Sequence, residues 1–266
     1  MMSLIYDHPL IVHRPTFQSA LGLMAADQSM LSRLRVSGGP SQYTWDPVTG
    51  CRFHCWYCCA RAYAEHYRPR ELPDLKRRDG IVLAPDGGLF PAGFELTFYP
   101  DVLNARLPDL PSIIQVGYYS DLGGAWWPAW VWKAILGKVD QHPEHVFNFL
   151  TKRPQGLPRM PANTIVGTAV ENASAKHRIN ALRRVQAGLL FVSFCPLLGR
   201  VGEVDLAGFD HIVIGAHEGP GAQPPQKEWV DELVTAARKA GTLVVLMPNM
   251  ASVVGPHPGP GVIYLQ

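Results

Sequence analysis

The stretch Trp45-Asp46-Pro47-Val48-Thr49-Gly50-Cys51-Arg52-Phe53-His54-Cys55-Trp56-Tyr57-Cys58 places three cysteines at the spacing C-x3-C-x2-C, between a β-rich segment and a helical pattern. Thiolates are soft ligands, suited to iron–sulfur clusters and to zinc. A cubane cluster takes four ligands, ordinarily four thiolates. Three thiolates in one short loop therefore leave one iron open, able to chelate the amino and carboxylate groups of a small molecule and pass it one electron. A zinc site usually pairs two CxxC-like knuckles or adds histidines at a set distance. No second cysteine pair exists here, although Cys59 and His54 complete a four-ligand zinc set locally. Structural zinc and a non-ligand cysteine cluster stay open beside the open-iron cluster.

The rest of the chain sets the context of that loop. Four of the five cysteines lie between Cys51 and Cys59. An odd, tightly clustered set is a poor secreted disulfide framework and reads as a metal site in a reducing compartment. Hydrophobic residues make up 47% of the 266 and charged residues 17%, a globular balance with ample material for a core. The formal charge of +2, from 24 basic and 22 acidic residues, neither supports nor excludes a nucleic-acid partner. No apolar run reaches the roughly 18 residues of a membrane span, and MMSLIYDHPLIVHRP is a poor signal peptide. The expectation is a cytoplasmic protein with no membrane partner.

From Tyr43 onward, short β-rich runs alternate with helical patterns, which argues for βα units around a parallel sheet. Strands are expected near Tyr43–Pro47, Phe94–Tyr99, Ile113–Tyr119, Val146–Leu150, Ile165–Val170, Leu190–Phe194, His211–Ile214 and Thr242–Met247. Runs such as LLFVSF and TLVVLM are continuously apolar, as strands buried on both faces are. Helical faces are expected from Ala60, Tyr63 and Tyr67, from Trp127, Val131, Ile135 and Val139, from Ile179, Leu182 and Val185, and from Trp229, Leu233 and Ala237. Gly188 and Gly241 each follow a helical pattern, as C-terminal caps do. The expected fold class is α/β, a complete or partial (βα) barrel, with a doubly wound open sheet as the alternative. Residues 1–40 form an N-terminal extension with one or two helical pieces in Phe17–Leu34, 41–250 the barrel domain, and 251–266 an irregular surface tail rich in Pro and Gly.

The cysteine loop resembles the radical SAM superfamily signature, C-x3-C-x-aromatic-C, with Tyr57 in the aromatic slot and the loop between the first strand and first helix. TWDPVTGC, CWYCCARAYA, YYSDLGG, FLTKRP, VGTAVEN, PLLGRV and GPGAQP, in that order over roughly Gln42–Asn249, resemble motifs of a phage-associated branch of unsettled function. That branch is distantly similar to spore photoproduct lyase. The resemblance implies a barrel of the radical SAM type. It also implies a 4Fe-4S cluster on Cys51, Cys55 and Cys58 that cleaves S-adenosylmethionine to methionine and a 5′-deoxyadenosyl radical. It further implies an electron donor such as flavodoxin or ferredoxin, and a nucleic acid or nucleoside as first choice of substrate, ahead of a peptide or small metabolite. The rival reading is a non-catalytic iron–sulfur or zinc-containing binding protein. The chain departs from the branch at three strand ends: Cys195 stands where Glu is expected, Gly215-Ala216-His217-Glu218 replaces Gly-Gly-Glu-Ser, and Met247-Pro248-Asn249 replaces a terminal Lys-Gln.

In an α/β barrel the chemistry sits at the C-terminal ends of the strands. Those ends carry Tyr99 and Asp101, Ser120 and Asp121, Thr151, Lys152 and Arg153, Glu171 and Asn172, Cys195, His217 and Glu218, and Asn249. Ser120, Asp121, Thr151, Lys152, Glu171, Asn172 and Tyr57 are the candidate cofactor contacts; Cys195 and Tyr99 are the candidate catalytic residues. Each also has a plain reading: Ser120-Asp121 and Glu171-Asn172 as caps, Lys152 and Arg153 as solvated charges, Cys195 as a core thiol. The aromatic run Trp126, Trp127, Trp130 and Trp132 reads as helix packing ahead of a base-stacking platform.

Overall fold

The computed structural model describes residues 11–14, 42–71, 74–84, 90–219, 221–255 and 261–264. The helical pieces expected in Phe17–Leu34, and the Ser37–Pro40 break after them, lie outside these residues.

The strands are β1 (Ile11–Arg14), β2 (Gln42–Trp45), β3 (Val48–Thr49), β4 (Arg77–Arg78), β5 (Ile81–Leu83), β6 (Thr97–Phe98), β7 (Ile113–Val116), β8 (Val146–Thr151), β9 (Thr164–Ala169), β10 (Leu189–Phe194), β11 (His211–Ile214), β12 (Leu243–Leu246) and β13 (Val262–Tyr264). The helices are α1 (Cys59–Tyr67), α2 (Pro100–Asn104), α3 (Ala129–Asp140), α4 (His177–Leu182), α5 (Lys227–Ala240) and α6 (Ala251–Val254).

One sheet has the order β1-β2-β7-β8-β9-β10-β11-β12-β13. Its eight strands from β2 to β13 are mutually parallel, and β1 joins antiparallel at the edge. A parallel pair cannot be closed by a tight turn and needs a crossover; α3, α4, α5 and α6 supply helices for four of them. Among the described residues the sheet is not closed, its edges being β1 and β13. The structure is therefore α/β with a large parallel sheet.

Seven of the eight expected strands have a counterpart there or nearby, with two corrections. The segment Phe94–Tyr99 contributes only β6, which lies in a separate four-stranded sheet of order β3-β6-β5-β4. The tail carries β13, parallel to β12, where an irregular surface segment was expected. VIY is an apolar, β-branched run, and Val262 is 7% exposed.

The burial follows residue type. β8 (VFNFLT), β9 and β11 are buried along almost their whole length, as inner parallel strands are. In α3, Val131, Ile135 and Val139 are fully buried. In α5, Val230, Leu233 and Ala237 face the core, Glu228 sits in the first turn and Arg238 and Lys239 in the last, matching the helix dipole. Gly241 (φ 70°) ends it in the left-handed conformation that an L side chain disfavours. Truncating Leu233 to Ala would cost about 2–5 kcal/mol by loss of transfer energy and the cavity left behind.

Two helix expectations change, one at an end and one on a face. Gly188 does not cap α4, which ends at Leu182 with Arg183 as its cap. In α1 the buried stripe is Ala60 and Ala64, while Tyr63 and Tyr67 are 40% and 47% exposed. No helix among the described residues is long and apolar enough to cross a membrane.

Candidate functional site

Gly50 sets the start of the cysteine loop. Its N–H donates to the Tyr119 carbonyl at 2.9 Å, and it bridges in parallel to Ser120, which docks the loop beside the end of β7. Gly50 has φ 94°, and a Cβ there would overlap the carbonyl oxygen of Glu95. Both facts require glycine immediately before Cys51.

The loop then turns its sulfurs toward backbone donors. The Phe53 N–H reaches Cys51 Sγ at 3.4 Å, and the Arg61 N–H reaches Cys58 Sγ at 3.3 Å, with Cys58 at the N-cap of α1. The Arg61 side chain also donates to the Cys51 carbonyl at 2.9 Å and lies 4.7 Å over the Phe94 ring, so one residue, through its backbone N–H and its guanidinium, ties both ends of the loop. Cys51, Cys55 and Cys58 are half-buried and line a single cavity of about 760 Å³. Burial pushes the Cys51 thiol up to about 12 and raises Cys58 as well, so the protein's own groups leave those two sulfurs protonated. A bound metal cation reverses that, because a coordinating thiol is deprotonated outright. Soft donors, N–H groups aimed at sulfur and a shared cavity suit a thiolate-held cluster. Cys59 is exposed, lines the same cavity and lies 4.0 Å from the Tyr118 hydroxyl.

Glu171 is the electrostatic centre beside the loop. It is 5% exposed. Its Oε1 accepts from the Tyr57 hydroxyl at 2.6 Å and from Lys152 Nζ, and its Oε2 accepts from Arg178 at 3.0 Å. Lys152 Nζ sits 5.3 Å over the Tyr57 ring. Burial alone would raise the Glu171 carboxyl, but Lys152, the Tyr57 hydroxyl and Arg178 together hold it below its ordinary range. The Glu171 carboxylate is thus paired with two cations, Lys152 and Arg178, as a buried charge requires.

Asp121 is also buried and accepts from the Gly123 N–H at 3.1 Å, the Lys152 N–H at 2.8 Å and the Thr151 hydroxyl. These bonds cross-link the segments after β7 and β8. Burial nonetheless raises the Asp121 carboxyl, against the pull of those donors. Ser120, whose hydroxyl donates to the Gly117 carbonyl at 3.3 Å, lines the cavity with Asp121, Thr151 and Lys152.

On the far wall stand Cys195, His217, Glu218 and Asn249. Burial pushes the Cys195 thiol up to about 11, with Glu218 adding to it. A Cβ on Gly215 would sit 2.5 Å from Cys195 Sγ, so the glycine makes room for the thiol. Asn249 accepts from the Ala216 N–H at 3.1 Å, donates to the Ala216 carbonyl at 3.1 Å, and donates to Glu218 Oε1 at 2.9 Å. Trp56 on the cysteine loop meets the His217 ring edge-on at 5.1 Å, which brings the loop into contact with the segment after β11.

Five of the residues expected at strand ends do not line the cavity: Tyr99, Asp101, Arg153, Glu171 and Asn172. Tyr99 is fully buried, its hydroxyl 3.1 Å from Thr49 Oγ1, and does not line the cavity; it is a core residue between β3 and α2. Asn172 spends its carbonyl on the Ser174 N–H at 3.0 Å and hydroxyl at 2.7 Å, capping the short turn at Ala173–Ala175. Arg153 donates to the Gly123 carbonyl at 3.2 Å. The tryptophans pack as helix and loop anchors: Trp127 and Trp132 are buried, Trp130 donates to Asp79 at 2.9 Å, and Trp126 meets Phe53 at 5.1 Å.

The floor of the cavity was not anticipated. Thr44, Gln115 and Asn148 point into it from β2, β7 and β8. A lone amide inside each of the apolar strands IIQV and VFNFLT is the pattern that marks them.

At the opposite end of β8, His142, Glu144 and His145 bring three potential metal ligands within 4.8 Å. His145 Nδ1 accepts from the Ser112 N–H at 3.2 Å, so the proton of the neutral ring is on Nε2, the atom that faces Glu144 at 3.6 Å. A protonated Nε2 is a donor and not a ligand; the group is a hydrogen-bonded strand start.

No curated protein and no solved structure matches the chain. A family model described as "Protein of unknown function (DUF5131)" matches residues 41–246, the segment that holds the cysteine loop, all of the cavity lining but Met247 and Asn249, and all but two strands of the large sheet. The chain belongs to the DUF5131 family.

Proposed function

We propose that this protein is a radical SAM enzyme whose open parallel sheet is a partial barrel, with a 4Fe-4S cluster on Cys51, Cys55 and Cys58. The observation that carries the reading is the disposition of those three thiols. They share one loop, at C-x3-C-x2-C spacing, and face one cavity with the C-terminal strand ends. When bound, the cluster supplies the electron that cleaves S-adenosylmethionine to methionine and a 5′-deoxyadenosyl radical.

The chain's own groups do the rest. The Tyr57–Glu171–Lys152–Arg178 set holds the loop at a fixed height above the strands. Ser120, Asp121, Thr151 and Lys152 line the wall nearest β7 and β8, where they would contact the cofactor. Trp56, Tyr57 and His217 form an aromatic cluster that joins the cysteine loop to the segment after β11. Cys195 faces the same space from the far wall, and its weak S–H bond suits it to give a hydrogen atom to a carbon radical. The protein acts in the cytoplasm, with a flavodoxin- or ferredoxin-like electron donor; a nucleic acid or nucleoside is the first choice of substrate.

The test is anaerobic reconstitution followed by metal analysis and chromatography. The expected result is about four irons and four sulfides per chain, and slow formation of 5′-deoxyadenosine from S-adenosylmethionine on reduction. One zinc and no deoxyadenosine would sink the proposal in favour of a metal-containing binding protein.

A further inference from the structure

The cavity has two levels of different chemistry. Its charged lining residues, Asp121, Lys152 and Glu218, all follow strand ends and so lie at the mouth. Deeper, the lining comes from inside the strands and carries no charge. Thr44 on β2 pairs in register with Gln115 on β7, and Gln115 pairs with Asn148 on β8, so the three form one row across the sheet. Side chains alternate along a strand, so the residues two positions earlier share the row's face. On β7 and β8 these are Ile113 and Val146, which belong to a buried apolar cluster with Ile165, Phe191, Val213 and Val245. The amide row therefore rests directly on an apolar plug.

Within that row one atom has no partner. Asn148 is 7% exposed, and its Nδ2 donates to Gln115 Oε1 at 2.8 Å. Its Oδ1 is buried and accepts no hydrogen bond among the described residues. Buried polar atoms are almost always satisfied, and an exception in a core calls for a cause. A leucine of similar size would fill the same place without a polar atom to satisfy. Beside the amides, the floor continues as Phe191, Val213 and Met247. The Phe191 ring occupies the space a side chain on Gly167 would fill, and it stacks on His211 at 4.8 Å with planes 5° apart. The floor is thus polar on one side and flat and apolar on the other.

We propose that this floor binds an uncharged planar group bearing an N–H donor, such as an aromatic amide, with Asn148 Oδ1 accepting the N–H and the apolar side covering the ring. A carboxylate, phosphate or ammonium is rejected, because it would lose its hydration at a level with no counter-charge. This deepens the radical-enzyme reading by naming what the cavity accepts. It rests on that reading only for the reaction that follows, since binding needs neither cluster nor S-adenosylmethionine.

Benzamide, N,N-dimethylbenzamide and benzoate separate the requirements for a donor and for neutrality. Their binding to the full chain is measured by saturation-transfer NMR titration, with and without reconstituted cluster. Benzamide is expected to bind at millimolar concentration, and the other two about tenfold more weakly or not at all. Asn148→Leu is expected to lose the preference for benzamide; it also removes the donor to Gln115 Oε1, so its melting curve serves only to show that the variant is folded. Three results would overturn the proposal: no benzamide binding to the wild type, equal binding of the three probes, or an Asn148→Leu protein that keeps the preference. The wild-type comparison needs no variant, and failure to assemble a cluster leaves every one of these outcomes readable.

Discussion

Tyr57 donates its phenolic hydroxyl to Glu171 Oε1 across 2.6 Å, joining the cysteine loop to a residue 114 positions further along the chain. The same carboxylate carries Lys152 and Arg178, so one buried anion couples the loop to the ends of β8 and β9. Removing it strands two largely buried cations. Glu171→Ala is expected to cost about 3–5 kcal/mol, the range for breaking a buried pair, and Tyr57→Phe about 1 kcal/mol, a single hydrogen bond. Urea denaturation of the two variants checks the ranking. Equal, small losses would show that the anion is solvated in solution. The folded Glu171 carboxyl lies below its unfolded value, so its contribution is complete above that unfolded value and fades as pH falls through the folded one.

The three loop cysteines and Cys59 separate by position. Cys58 caps α1 and turns its sulfur to the Arg61 N–H, while Cys59 begins the helix and lies beside Tyr118. Cys51→Ala, Cys55→Ala and Cys58→Ala should each lose the iron, and Cys59→Ala should keep it, with iron and sulfide assayed after anaerobic reconstitution. Full loss of iron in Cys59→Ala would show that the tripod has been assigned to the wrong sulfurs.

Gly215 and Cys195 share one space. A Cβ on Gly215 falls 2.5 Å from Cys195 Sγ and 2.7 Å from Met247 Cγ. Gly215→Ala is expected to cost about 1–3 kcal/mol through overpacking. Cys195→Ala in the same chain should recover much of it, since Met247 is flexible and can move aside. A double-mutant cycle on melting data measures the coupling. Additive effects would mean that the thiol points away from Gly215. In Cys195→Ala alone, the cluster and the basal cleavage of S-adenosylmethionine should persist while the product or turnover on substrate changes.

His211 is fully buried against Phe191, and burial lowers its imidazolium to about 3. The unfolded chain takes up that proton near pH 6.5, and the folded chain does so only near 3. Stability from this residue is therefore complete above about 6.5 and is lost progressively as pH falls toward 3. Denaturation midpoints across that window should fall with acid in the wild type and fall less steeply in His211→Leu. Parallel curves would assign the acid sensitivity to other groups.

Much of this was legible in the residues. Continuous apolar runs such as LLFVSF marked inner parallel strands because burial on both faces leaves no room for alternation. The cysteine spacing marked a loop whose three thiols do line one cavity. What stayed hidden depended on distant contacts. Phe94–Tyr99 has strand-like residues, but β6 pairs with β3 and β5 in a second sheet, a choice of partner that no local pattern encodes. Tyr99 ends such a strand and still points into the core, toward Thr49. Asn172 has a cofactor-friendly side chain already used by the turn it starts. Gln115 and Asn148 were passed over because each is a single polar residue in an apolar strand. Only the register β2-β7-β8 puts them side by side.

The amide of Asn249 gives one hydrogen bond to Ala216 and takes one from it. A side chain that does both to a single residue imitates a peptide unit of a neighbouring strand. The pairing of β11 with β12 is thereby carried past the last true strand residues, without any further chain to lay alongside. An aspartate, otherwise the same shape, would turn a second oxygen toward the Ala216 carbonyl and repel it. Rigidity at this part of the rim is thus written in one nitrogen atom, which also steadies the carboxylate of Glu218.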